Sequence, residues 1–151
     1  RDIAAGMLYL HREGVIHRDL AARNILLDSK MRAKVSDFGM SRIVLDHSDV
    51  NKTGANVGPV RWMAPEAMRQ RLYNKKTDIW SFGVVLYEIM TRKIPYYNED
   101  VIFIATRVTL GELSLIPEVE KDQHLYPNRL VKIIKMCLNH SAQDRPVFDD
   151  V

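Results

Sequence analysis

The sequence is short of several things, and each shortage narrows what the chain can be. Among its 151 residues there is one cysteine, Cys137, set in the apolar run "LVKIIKMCL". No internal disulfide can form, which fits a reducing compartment, and a lone cysteine in such a run reads as a buried packing group. Long apolar stretches are missing too. The longest, "FGVVLYEIM" at 82–90, is interrupted by Glu88 and is about half of the ~20 residues that a bilayer-spanning helix needs. No membrane span is expected within the chain, and "RDIAAGMLYLHREG" lacks the ordered charged flank, apolar centre and cleavage site of a signal peptide. Charge is not segregated. The 22 basic and 19 acidic residues are interspersed for a net charge of +3, which leaves no stripe suited to a nucleic-acid backbone. The densest basic groups, Arg69/Arg71 with Lys75/Lys76 and Arg92/Lys93, read as solvated surface beside helices. Repeats, low-complexity tracts and linkers are absent.

What is there describes an ordinary folded domain. Hydrophobic residues make up 46% and charged residues 27%, close to globular averages, and the length suits one domain that buries roughly 70% of its unfolded surface. There is no initiating Met, and Ile3, Met7, Leu8 and Leu10 already keep helical spacing, so the chain is expected to begin inside a helix over 2–13 that Gly14 terminates. Two short apolar segments, "NILLD" and "AKVSD", flank the polar turn "SKMR" at 29–32 and predict a small hairpin. From Asp37 to about Val60 no period is sustained, which predicts a long and hence functional loop. Four helices should follow: 64–70 with Pro65 in its first turn, 77–91 capped by Thr77 or Asp78, 99–110, and 128–139. Pro95 and Pro117 fall in connections, and Pro146 precedes the first turn of a last helix. The fold class is mostly α (α+β).

The chemistry concentrates in "HRDLAARN" at 17–24, where Asp19 and Asn24 stand five residues apart, and in "DFG" at 37–39. Paired strands lie about 4.8 Å apart, so the hairpin should return Asp37 to the side of Asn24. Carboxylate and amide oxygens with room for water are what Mg²⁺ demands, and it commonly takes one or two carboxylates together with substrate phosphates. Asp19 is then left free to accept a proton.

These motifs, with "APE" at 64–66, "DIWSFG" at 78–83 and "DRP" at 144–146, follow one another in the order of a known set. Across essentially all its residues the chain resembles the C-terminal lobe of a protein kinase. The resemblance implies a partial kinase domain over 1–151, running from the helix before the catalytic loop to the start of the last helix, with a small hairpin at the cleft and the N-lobe absent. It implies ATP and Mg²⁺ (or Mn²⁺) as cofactors. Asp19 would accept or orient the proton of the attacking hydroxyl, Asn24 and Asp37 would hold the metal ions, and Arg23 would steady the γ-phosphate. Leu26 resembles the floor of the adenine site. His17 and Phe38 resemble members of a hydrophobic stack resting on Asp78, and Glu66 and Arg145 resemble a buried pair that ties the activation segment to the helical core.

The acceptor hydroxyl is read from a narrower set of residues. Kinases that phosphorylate Ser or Thr commonly carry a Lys two residues after the catalytic Asp and a Thr shortly before "APE"; this chain has "AAR" and "GPVRWMAPE". Both resemble the tyrosine-kinase pattern, in which Pro59 and Val60 form an apolar platform for the phenol ring and Arg23 takes the place of the Lys. The alternatives are a tyrosine-kinase-like enzyme acting on Ser/Thr or on both hydroxyls, and a non-catalytic scaffold. The Gly-rich strand, the ATP-pairing Lys and its Glu partner lie upstream in the family, so catalysis is expected of the parent protein, with its own N-lobe as a partner and proteins bearing an acceptor tyrosine as substrates. Its setting would be cytosolic, or the intracellular part of a membrane receptor.

No tyrosine lies between Asp37 and Glu66, where many tyrosine kinases carry the one whose phosphate pairs with the residue matching Arg18. Candidate substitutes are phosphorylated Ser48 or Thr53, or an unmodified acid, Asp46 or Asp49. A count along the segment favours Asp49 as a weak standing activator, since a carboxylate has less charge and fewer acceptor oxygens than a phosphate. Asp49→Ala in the full-length enzyme is expected to lower basal activity; unchanged basal activity would count against the assignment.

Overall fold

The computed structural model describes residues 1–37 and 59–151, and between them the backbone of 42–43 and 51–52. Helix α1 (Asp2–Arg12) forms because Ile3, Met7 and His11 recur every four residues and bury one face. It ends at Glu13, followed by Gly14 at φ 73°, a left-handed conformation that favours glycine. Asp2 in the first turn takes both Nε and Nη2 of Arg32 at 2.8 Å, and this fastens the helix to the hairpin.

That hairpin is strands β2 (Ile25–Leu27) and β3 (Ala33–Val35), antiparallel with Ile25 opposite Val35 and Leu27 opposite Ala33. Two further antiparallel pairs were not expected. Strand β1 (Val15–Ile16) pairs with β4 (Arg42–Ile43), and β5 (Asn51–Lys52) pairs with β6 (Leu72–Tyr73). The stretch read as one loop therefore touches down twice, on segments of two residues each, too short to display an alternating period.

The helical half is organised by α3 (Lys75–Thr91), in which every residue from Thr77 to Val85 is buried. A helix buried on all sides lies in the middle of its domain. One cluster gathers Trp80, Val84 and Tyr87 with Tyr73, Ile104, Val108, Val119 and Ile134; the other gathers Ile79, Phe82 and Val85 with Ile3, Met7, Leu20 and Phe148. Gly83 allows the closest approach: a Cβ there would stand 2.7 Å from Cβ of Cys137 and 3.0 Å from Cδ2 of Leu138. Cys137 is fully buried at this crossing, and burial pushes its thiol up to about 12, so it is an inert packing group.

Helix α3 starts earlier than its sequence suggests. Its cap is Asn74, whose side chain accepts from the N–H groups of Lys76 and Thr77, while Thr77 Oγ1 accepts from the N–H of Asn74 in return. Thr77 is thus the cap's partner and Asp78 is not a cap at all. Around α3 lie α2 (Pro65–Gln70), with Pro65 at its first position; α4 (Val101–Thr109), capped by Asp100; α5 (Ile116–Lys121); and α6 (Asn128–Cys137). The short α5 replaces an expected connection, because Pro117 sits in its first turn, where no helical N–H is missed. After Pro146 the chain closes in a 3-10 turn at Phe148–Asp150. Lys76 is not solvated surface: half-buried, its Nζ donates to the carbonyls of Arg145 and Pro146.

Arg145 ties α2 to this core. Its Nη1 and Nη2 reach Oε1 and Oε2 of Glu66 at 2.6 and 3.0 Å, its other donors go to the carbonyls of Asn139, Lys76 and His140, and the guanidinium lies 5.0 Å from the Trp80 ring centroid. Removing Glu66 leaves a guanidinium of zero exposure without its counter-charge. Glu66→Ala should therefore cost about 3–5 kcal/mol of stability, read as a fall in the denaturation midpoint. A loss below about 1 kcal/mol would mean that the four carbonyl and ring contacts suffice alone.

Candidate functional site

The site hangs from Asp78, one residue past the first turn's cap partner in α3. Its Oδ1 accepts from the N–H of Arg18 at 3.0 Å; its Oδ2 accepts from the N–H of His17 at 2.9 Å and from Nε2 of His11 at 2.8 Å. An ionised carboxylate only accepts, so His11 carries its proton on Nε2. Arg18 takes φ 71°, an uncommon conformation for a side-chain-bearing residue. It is over-determined from two sides: its N–H is held by Asp78, and its guanidinium lies 4.1 Å over the Tyr73 ring.

His17 next stitches the loop to the hairpin. Fully buried, it donates from Nε2 to the carbonyl of Ser36 at 3.1 Å and accepts at Nδ1 from the N–H of Asp19 at 3.3 Å. That pair of partners selects the neutral imidazole protonated at Nε2. Ser36 in turn donates from its N–H and its hydroxyl to the carbonyl of Asn24, both at 2.9 Å. Asn24 and Ser36 thus face each other across the open end of the β2–β3 pair. Asp37 follows directly, exposed and at φ 62°.

A 3-10 turn over Ala22–Asn24 folds the loop back so that Asn24 addresses Asp19. Nδ2 of Asn24 donates to the Asp19 carbonyl at 2.7 Å and to its Oδ2 at 3.1 Å, while Nη2 of Arg23 donates to Oδ1. Asp19 is therefore not left free, as its sequence context suggested; both of its oxygens are held. A carboxylate has about four lone-pair sites, so proton-accepting capacity remains. Because the amide hydrogens of Asn24 serve Asp19, its Oδ1 is turned the other way. The amide oxygen of Asn24 and the carboxylate of Asp37, on the residue after Ser36, are hard oxygen donors of the kind Mg²⁺ takes together with phosphate or water oxygens. Among the described residues no group of three or more His, Cys, Asp or Glu could hold an ion unaided.

The segment after the loop is anchored as firmly. Pro59 leads into a 3-10 turn at Val60–Trp62, both residues are half-buried, and Val60 packs on the larger core cluster. Nη1 of Arg61 donates to the carbonyls of Pro95 and Tyr96, and Nη2 to that of Glu99. The carbonyl of Trp62 accepts from Oγ of Ser81 at 2.8 Å. Glu88 and the Trp62 side chain escaped sequence reading. Glu88, taken only as a break in an apolar run, accepts at Oε2 from the N–H of Ala22 at 2.9 Å and from Nε1 of Trp62 at 2.8 Å; the Trp62 ring lies 4.7 Å beneath the Arg23 guanidinium. A carboxylate interrupting the apolar run at 82–90 was the available signal. Leu26 is 57% exposed on the hairpin. Phe38, Ser48, Asp49 and Thr53, with Asp46, lie outside the described residues.

Comparison with known proteins points to one family. The family model described as protein tyrosine and serine/threonine kinase matches residues 1–151. Among curated proteins, tyrosine-protein kinase TXK of Mus musculus and of Homo sapiens are each 38% identical over 152 aligned residues, covering 100% of this chain. The chain spans 28% of the length of either relative.

Asp78 is the contact whose loss should undo the site. In Asp78→Asn the amide nitrogen must face either the Arg18 N–H or the His17 N–H, leaving a buried donor without an acceptor. The substitution should cost about 1–3 kcal/mol and speed amide hydrogen exchange at residues 17 and 18 ahead of the rest of the chain. Exchange there that stays as slow as in the wild type would show that the loop is held by something else.

Proposed function

We propose a function for a chain that belongs to the protein tyrosine and serine/threonine kinase family: it is the helical C-lobe part of a kinase domain that moves the γ-phosphate of ATP onto tyrosine hydroxyls of protein substrates. The observation that carries this reading is the Asp19 carboxylate, fixed by Arg23 and Asn24 at the end of a loop suspended from Asp78. An incoming phenol would hydrogen-bond to Asp19 through a remaining lone pair. As the phenolate oxygen bonds to phosphorus and the bond from phosphorus to the bridging oxygen of ADP breaks, the phenolic proton passes to the carboxylate. Asn24 Oδ1 and Asp37 would hold Mg²⁺, which offsets charge on the phosphates. Protein and metal contribute mostly position and field, so small displacements of these groups are costly.

Tyrosine is favoured by several features together. No lysine stands two residues beyond Asp19, where Ala21 is fully buried. Arg23 lies against the Trp62 ring beside Pro59 and Val60, an apolar and aromatic surface that suits a flat ring. Both of these relatives carry tyrosine-protein kinase in their names. The complete domain would include an N-lobe supplying the remaining ATP contacts, and the exposed Leu26 and Leu27 are apolar surface for it to cover. A cytosolic setting, or the intracellular part of a receptor, brings ATP and protein substrates together; among the described residues no helix is long and apolar enough to cross a membrane.

The test uses the parent protein with its whole kinase domain, ATP, Mg²⁺ and a panel of peptides differing only in the acceptor. Transfer to tyrosine is expected to dominate, and Asp19→Asn should lower kcat by about 10²–10⁴-fold with little change in KM for ATP. Comparable transfer to serine or threonine would replace this reading by a broader specificity. No transfer by the wild type to any acceptor would leave a non-catalytic scaffold.

A further inference from the structure

We propose that Glu88 is a positioning residue for phosphoryl transfer: through Trp62 and Arg23 it couples the substrate-platform segment to the carboxylate of Asp19. The inference rests on the reading of Asp19 as the group that receives the hydroxyl proton.

Glu88 lies half-buried on the side of α3 that faces both the loop at 22–24 and the turn at 60–62. A single oxygen, Oε2, receives one donor from each, the Ala22 N–H and the Trp62 indole N–H. The two segments are far apart in sequence, and this oxygen is where they are set relative to each other. Trp62 is held a second time through its carbonyl by Ser81, one α3 residue from the buried face. With its backbone and its indole edge both pinned to α3, the ring has one orientation, and the Arg23 guanidinium lies over its face at 4.7 Å.

The physical coupling has two parts. Donation of the indole N–H to a carboxylate pushes electron density into the ring, which strengthens the attraction of its face for the guanidinium. The oriented guanidinium then presents Nη2 to Oδ1 of Asp19, while Asn24 holds Oδ2. Four residues thus run from the central helix to the carboxylate, each fixing the next. The platform residues Pro59 and Val60 lie in the turn that ends at Trp62, and Arg61 ties the same turn to the carbonyls of Pro95 and Glu99. A shift of the platform must stretch the Trp62–Glu88 bond, release Arg23 and loosen Asp19.

The parent kinase domain provides the test, by a double-mutant cycle. Glu88→Met removes the acceptor at similar length, and kcat should fall about tenfold, with KM for ATP within about twofold of wild type. Glu88→Gln can set its amide oxygen where Oε2 lies and accept both donors, so it should keep most of kcat. Arg23→Ala in the Glu88→Met background should cost less than about threefold more than Arg23→Ala alone, because the two act through one path. Multiplicative losses, an effect on KM alone, or a fall in melting temperature without a fall in kcat would overturn the proposal. Trp62→Phe cuts the same bond from the other end while keeping a ring face, and serves should Glu88→Met not fold.

A second readout needs no activity. The chain has two tryptophans, so the Trp62 indole N–H resonance is identified by its loss in Trp62→Phe. It should move, and exchange faster, in Glu88→Met, and it should move in Arg23→Ala. An indole resonance indifferent to both substitutions would sink the coupling even in an inactive protein. An inactive wild type in which the resonance responds would sink the kinase reading and leave the coupling standing.

Discussion

A buried carboxylate needs donors and a buried N–H needs an acceptor, and Asp78 meets both demands with one side chain. It is 1% exposed, and it receives two consecutive backbone N–H groups and an imidazole. Consecutive N–H groups converge on one carboxylate only when the backbone turns sharply, which is why Arg18 occupies the left-handed region. The bend in turn aims His17 at Ser36 and sends the chain on toward the 3-10 turn that carries Arg23 and Asn24. Without the buried acceptor, each of these would be a strained or unsatisfied arrangement.

Helix α3 is more than the support for that carboxylate. Along its length it presents Asp78 to the loop, Ser81 to the Trp62 carbonyl, a bare backbone at Gly83 to α6, and Glu88 to both Ala22 and Trp62. Its burial on all sides leaves it little freedom to tilt, since the interior is close-packed. Polar contacts made from such an element inherit its rigidity, whereas the same contacts made from a loop would not. A site composed almost wholly of loop residues is in this way held by one rigid element, as the proposed function would require.

The parts of this arrangement that were legible in the sequence are those with a long enough signal. Helices α1, α2, α4 and α6 and the hairpin kept their period, and Asp19 and Asn24, singled out by their motif, are bonded to each other in the fold. Two-residue bridges such as β1 with β4 have no period to read. The start of α3 was missed because Asn74 follows a strand residue, Tyr73, and the apolar pattern begins only at Ile79. Helix α5 was hidden by a proline that usually marks a connection. In the site, the engagement of Asp19 by two neighbours and the work of Glu88 are properties of distance. A carboxylate in an apolar run signals that a partner exists, but only the fold identifies Ala22 and Trp62.

The segment from Pro59 to Gln70 carries an uncommon density of polar anchors for its length. Arg61 reaches three carbonyls, Trp62 is bonded at its indole and its carbonyl, and Glu66 is gripped in two places by Arg145. Apolar packing could hold α2 against the core, yet it tolerates sliding and repacking, and directional bonds do not. Under the proposed function the acceptor would be a rigid, flat ring with few torsions to correct for a misplaced support, so its support would have to be placed correctly beforehand. The anchors spread along this segment fit that demand, and they tie the turn at 59–62 to the same helix that holds the loop at 17–24. Turn and loop then share one reference frame, and displacement of Trp62 relative to the Asp19 carboxylate is limited by the stiffness of α3 rather than by either loop.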